Sequence, residues 1–215
     1  MWQSRIFINK YSLIKIMELR ELKREVEMLP DIRKNVRGLH DSWFKHVNGS
    51  AVSQYKVFDS LPDDAKKQVG VRVAMLQESL RGMDAGYVIS EKLRSHARCL
   101  MDLKLTHFNG DRTKAKVLMN TLLKDEYFSV PKVIGEIKQF ENHVQRFSET
   151  YHEVNELMQK RLSLEEALFL MDLPHKLYLA TLLKTTQKQR ILVRDLSRQL
   201  VGISKEHSLL KTPHK

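Results

Sequence analysis

Apolar positions recur along this chain every three or four residues, and two-residue alternation is nearly absent. That spacing collects apolar side chains on one face of an α-helix rather than on one face of a strand. Leu19, Leu22, Val26 and Leu29 make the first such stripe, which Pro30 closes, and Asp31 stands where it caps the next helix. Val36, Leu39 or His40, Trp43 and Val47 carry a second stripe as far as Asn48-Gly49, a pair suited to ending a helix. Ser50 is placed to cap a short helix bearing Val52, Tyr55 and Phe58.

Ser60-Leu61-Pro62-Asp63-Asp64 has the chemistry of a helix start: a serine cap, a proline where no amide is needed, and acids against the positive helix end. Ala65, Val69, Val73, Leu76, Leu80 and Met83 then share a face. Gly82 and Gly86 predict a break or bend around Asp84. Ile89, Leu93, His96, Leu100, Leu103 and His107 resume the stripe until Asn109-Gly110, and Asp111 caps a shorter basic helix with Val117, Leu118, Leu122 and Leu123.

The clearest pattern follows Pro131. Val133, Ile137, Phe140, Val144, Phe147, Tyr151, Val154 and Met158 alternate steps of four and three, a heptad repeat. Its three aromatics are bulky for a two-stranded zipper, so it is read as the central helix of an intramolecular bundle. Gly135 is read as a point of close packing within it. Ser163-Leu164-Glu165-Glu166 is a capping box, opening a short helix to Met171 before a turn at Asp172-Leu173-Pro174. The last helix runs from His175 to Leu210 on a seam of Leu179, Leu182, Thr186, Gln189, Val193, Leu196, Leu200, Ile203, His207 and Leu210. Thr186 and Gln189 interrupt that seam with polar groups, which fix register at some cost in stability.

The fold class that follows is all-α, an elongated helical bundle with long, heptad-patterned, coiled-coil-like helices. Residues 17–211 read as one domain and 212–215 as a frayed tail. Residues 1–16 fit no helical period. They are read as an N-terminal extension that is disordered, a short strand or an interfacial anchor, or as lying ahead of a true start at Met17.

Composition narrows the class. At 42% hydrophobic and 29% charged residues, the 215-residue chain is neither a disordered tail nor a disulfide scaffold. Only 8 Gly and 5 Pro imply few turns and long elements. A single cysteine, Cys99, excludes an internal disulfide and a Cys-rich zinc site, and its apolar neighbours make it a core filler. A reducing, cytoplasmic location is the expectation. No run is apolar enough to span a membrane, and the pattern of a signal peptide is missing.

Charge adds the functional lead. The net charge of +11 divides into +9 over residues 1–124, −5 over 125–174 and +7 over 175–215. Lys184, Lys188, Arg190, Arg194, Arg198 and Lys205 occupy outer positions of the last helix, opposite its seam. Such a stripe suits a polyanion, DNA or RNA, or an acidic protein. Arg112, Lys114 and Lys116 are read as assisting. Tyr178 is the one aromatic after residue 174, so no stacking platform for single strands accompanies the stripe.

Other constellations carry less. Residues 163–183 have the lengths of a helix-turn-helix, but Leu168 and Asp172 stand where that motif favours small residues, and the second helix is apolar on too many sides to lie in a groove. Glu149 and His152 match a Glu-x-x-His spacing without the further carboxylates that a di-iron site needs. His96 and His107 sit on an apolar stripe and read as core or boundary residues. The glycines are isolated and build no phosphate-cradling loop. No catalytic residue, metal site or cofactor is assigned. The expectation is a non-enzymatic helical protein that binds a polyanion or acidic partner through its basic C-terminal helix. The alternatives are a scaffold, or homo-oligomer, whose heptad faces pair with another chain, and a helix-turn-helix regulator.

Overall fold

The computed structural model describes residues 2–47, 61–124, 128–159 and 173–209. Six helices hold nearly all of them: α1 (Trp2–Glu27), α2 (Ile32–Val47), α3 (Asp63–Phe108), α4 (Arg112–Leu122), α5 (Val130–Gln159) and α6 (Leu173–Leu209). No strand occurs among the described residues, and the fold is all-α. The expected caps at Ser50 and Ser163, the short helices after them, and residues 163–172 of segment 163–183 lie outside the described residues.

Local chemistry sets most of the boundaries. Asp31 accepts a hydrogen bond from the Lys34 amide at 3.1 Å, and Asp111 one from the Lys114 amide at 3.0 Å, so both act as N-caps. Gly110 takes φ +80° at the end of α3. There the Gly110 amide bonds the His107 carbonyl and the Asp111 amide bonds that of Thr106, the paired bonds of a Schellman ending. Helix α1 begins at Trp2, where the sequence shows no helical period. Extending a helix backward from a packed turn such as Ile16–Leu19 is much cheaper than nucleating a new one.

Two sequence expectations are corrected. No break occurs near Asp84, because α3 is continuous through Gly82 and Gly86. A Cβ on Gly86 would come 2.5 Å from the Phe140 ring, and one on Gly82 would collide with the His143 ring. These glycines admit α5 against α3 rather than interrupt the helix. Gly135 is the converse: nothing lies within 4 Å of a Cβ built there, so it is not a close-packing point.

The chain forms two compact units. One comprises Met1–Leu29, Val88–Gly135 and Lys188–Lys215, and the other Pro30–Tyr87 and Glu136–Gln187. In the second unit, α2 meets the first part of α3, most of α5 and the start of α6. Arg72 bonds Glu153 at 2.8 Å, Gly82 faces His143 and Gly86 faces Phe140. Partner numbers fall on α5 as they rise on α3, so these helices are antiparallel. Arg33 lies 3.6 Å above the Tyr87 ring, joining α2 to α3, and Gly38 receives the Tyr178 ring of α6. Ile137, Phe140, Val144, Phe147, Tyr151 and Val154, all of the heptad pattern, are buried here within the single chain. Burying each phenylalanine contributes about 1.5–3 kcal/mol.

The first unit packs α1, the second part of α3, α4, the first turn of α5 and the second part of α6. Its core includes Ile16, Leu19, Val26, Leu93, Leu100, Leu103, Met119, Val133, Val193 and Leu196. The polar seam position Gln189 is fully buried and donates to Ser90 Oγ of α3 at 2.9 Å. The carbonyl of Leu29 accepts from Arg94 at 3.5 Å, one helical turn further along α3.

Candidate polyanion interface

Grouping the charges by unit changes their meaning. Among the described residues, the first unit carries 20 Lys+Arg against 9 Asp+Glu, a net +11, while the second carries 12 against 11. The basic stretches read along the chain therefore belong largely to one packed body, and the acidic stretch is balanced by other residues of its own unit. A body of that size with eleven excess charges has a positive field extending about a Debye length, roughly 8 Å at physiological ionic strength.

Helix α6 supplies one group of the unit's basic residues. Its buried face, with Gln189, Val193, Leu196 and Ile203, turns Arg194, Arg198 and Lys205 outward, and all three are exposed. Lys188 and Arg190 are half-buried on the flanks of the same helix. Lys184 is exposed but belongs to the second unit, so it is not grouped with the other five. Arg198 pairs with Asp195 at 3.2 Å, and its side chain stays 79% exposed, so the pair leaves its guanidinium accessible. An exposed pair of this kind is worth about 0–1 kcal/mol.

Helix α4 supplies a second group. Ala115, Met119 and Leu122 face inward and leave Arg112, Lys114 and Lys116 exposed. Arg112 and Lys114 stand in the first helical turn, where no acidic residue is present. Positive side chains there oppose the helix dipole at a cost of about 0.3–1 kcal/mol each, which the Asp111 cap partly offsets. A bound anion relieves that repulsion.

The chain pattern alone misses Arg98, Lys124 and Lys132, which are exposed in the same unit. Each stands outside a local basic run, so only the packing of distant segments reveals it. Also missed are Ile191 and Val201, exposed apolar residues interleaved with the arginines of α6.

The remaining candidates take structural places. His96 is fully buried against Phe128, and burial lowers its pKa to about 4, so the ring is neutral at pH 7. His107 is half-buried. His175, which would begin a recognition helix, is instead buried, with its ring 4.0 Å from that of Tyr151. Glu149 and His152 are exposed, and His152 pairs with Glu156 at 3.3 Å. Among the described residues no three His, Cys, Asp or Glu side chains come together as a metal site. Cys99 is half-buried. No helix among the described residues is long and apolar enough to cross a membrane.

Compared with protein-family models, curated proteins and solved structures, the chain matches none of them.

Proposed function

We propose that this is a non-enzymatic helical binding protein that contacts a polyanion, DNA or RNA, through the basic surface of its first unit. Lys188, Arg190, Arg194, Arg198 and Lys205 of α6 and Arg112, Lys114 and Lys116 of α4 carry the contact, and a cytoplasmic setting fits the single thiol. The observation behind this reading is the segregation of charge: +11 on one packed unit against +1 on the other.

Recognition in this reading is of the phosphate backbone. The exposed α6 residues between Ile191 and Lys205 include no aromatic ring to stack on bases. Binding then depends on counterion release and carries little sequence preference. Retention on a heparin column tests it. The wild type elutes at high salt, and a chain with Arg194, Arg198, Lys114 and Lys116 changed to Glu elutes at the salt of an ordinary basic protein. Equal elution of the two excludes this surface.

A further inference from the structure

The outer faces of α1 and α6, both in the first unit, match each other in an unusual way. On α6, Ile191, Arg194, Arg198, Val201 and Lys205 are all exposed and step by 3, 4, 3 and 4. On α1, Met17, Glu21 and Glu25 are exposed and step by 4 and 4, with Glu18 beside them, and exposed Met28 follows three residues on, in the turn just past the helix end. One face reads apolar, Arg, Arg, apolar, and the other apolar, Glu, Glu, apolar. The bracketing residues are well out in solvent: Ile191 is 56% and Val201 50% exposed, Met17 66% and Met28 63%. Glu18, Glu21, Glu25 and Arg194 form no ion pair with a described residue, although each lies on a well-formed helix.

The two helices are neighbours, and their register is readable. Lys15 Nζ is 3.9 Å from a Cβ built on Gly202, so residue 15 of α1 lies level with residue 202 of α6. At the other end, Leu29 reaches Arg94 while Gln189 reaches Ser90, one turn apart on α3. Helices α1 and α6 therefore run antiparallel, aligned to within about a turn. Within one chain they lie side by side, so their outer faces cannot meet each other.

We infer that a second copy of this chain covers these faces, with α1 of each copy lying antiparallel across α6 of the other. A two-fold axis parallel to the helices places α1 of one copy over α6 of its partner without changing height. The intramolecular register then carries over. Met17 comes over Val201, Glu21 between Arg194 and Arg198, Glu25 over Arg194, and Met28 over Ile191. Each contact occurs twice in such an isologous pair. The apolar ends supply the burial, and the charges select the partner face and orientation. Arg24, also exposed, stands beside Met17 and Met28 within this face of α1, on its side away from Lys15, and Arg20 lies beyond it at the rim of such a pair.

Arg194 and Arg198 also belong to the surface proposed for polyanions, so the two occupants exclude each other. Self-association is therefore measured in polyanion-free buffer by sedimentation equilibrium of the full chain. The chain with Glu18, Glu21 and Glu25 changed to Lys, and the chain with Arg194 and Arg198 changed to Glu, are run alone and mixed. The wild type sediments with twice the mass of one chain at tens of micromolar. Each reversed chain alone is monomeric, because like charges then face each other. An equal mixture of the two recovers the doubled mass as a heterodimer, since both contacts become attractive again. A wild type that stays monomeric at several hundred micromolar overturns the proposal. So do reversed chains that dimerise alone, or a mixture that does not pair. Should a reversed chain lose its helical circular dichroism, the wild-type mass decides the outcome by itself. The chain reversed on α1 keeps every basic residue of the polyanion surface, so failure of pairing leaves that reading standing.

Discussion

The His96 imidazole lies flat on the Phe128 ring, with centroids 3.9 Å apart and planes 15° from parallel. Both residues are buried in the first unit, and no room is left for the hydration that a charged ring needs. Burial lowers the His96 pKa from 6.5 to about 4. As pH falls through 6.5 the unfolded chain takes up a proton at His96 and the folded chain does not. Stability therefore falls with pH between about 6.5 and 4, and this contribution is level outside that window. The full loss is on the order of 3 kcal/mol. Urea midpoints at pH 7 and pH 4.5 check it: the wild type loses more stability between them than His96→Phe does. Equal losses would show that His96 is not responsible.

Glycines in the same helices respond oppositely to alanine. Gly86→Ala drives a methyl group into the Phe140 ring and destabilises by about 1–3 kcal/mol, despite the better helix propensity of alanine. Gly70→Ala and Gly135→Ala meet nothing within 4 Å and stabilise by about 0.5–1 kcal/mol each. Thermal melts of the three variants decide the matter, and a stabilised Gly86→Ala chain would contradict the packing of α3 on α5.

Gln189 and Ser90 form a buried polar pair across α6 and α3. Gln189→Leu or Ser90→Ala alone strands the other partner and costs about 1–3 kcal/mol. The double variant costs less than the two singles combined, because both polar groups are then gone. A double-mutant cycle in urea measures the difference, and strict additivity would mean that the pair is not coupled.

The helical class and most of its boundaries were legible because period, caps and glycine stops are local signals. Asp31 and Asp111 cap where their positions say, and the seven apolar positions from Val133 to Val154 are buried within the chain. Packing between distant segments was not legible. Gly82 and Gly86 resemble a break in sequence, and only His143 and Phe140, far along the chain, explain them. The site followed the same division. Arg194, Arg198 and Lys205 could be placed outward from the seam of their own helix. Their membership of one unit with Arg112, Lys114 and Lys116, and the membership of Lys184 in the other, depend on how the chain folds back.

Charge segregation is the centre of the functional account, and the salt dependence of binding measures it most directly. Fluorescence anisotropy with a mixed-sequence DNA duplex gives the slope of log affinity against log salt for the wild type and for Arg194→Glu/Arg198→Glu. Each phosphate contact contributes about 0.9 to that slope. Binding weakens steeply with salt, the slope is shallower by about 2 in the variant, and the variant's affinity is reduced at least tenfold at low salt. A duplex bound equally by both proteins, with the same slope, would contradict the functional account.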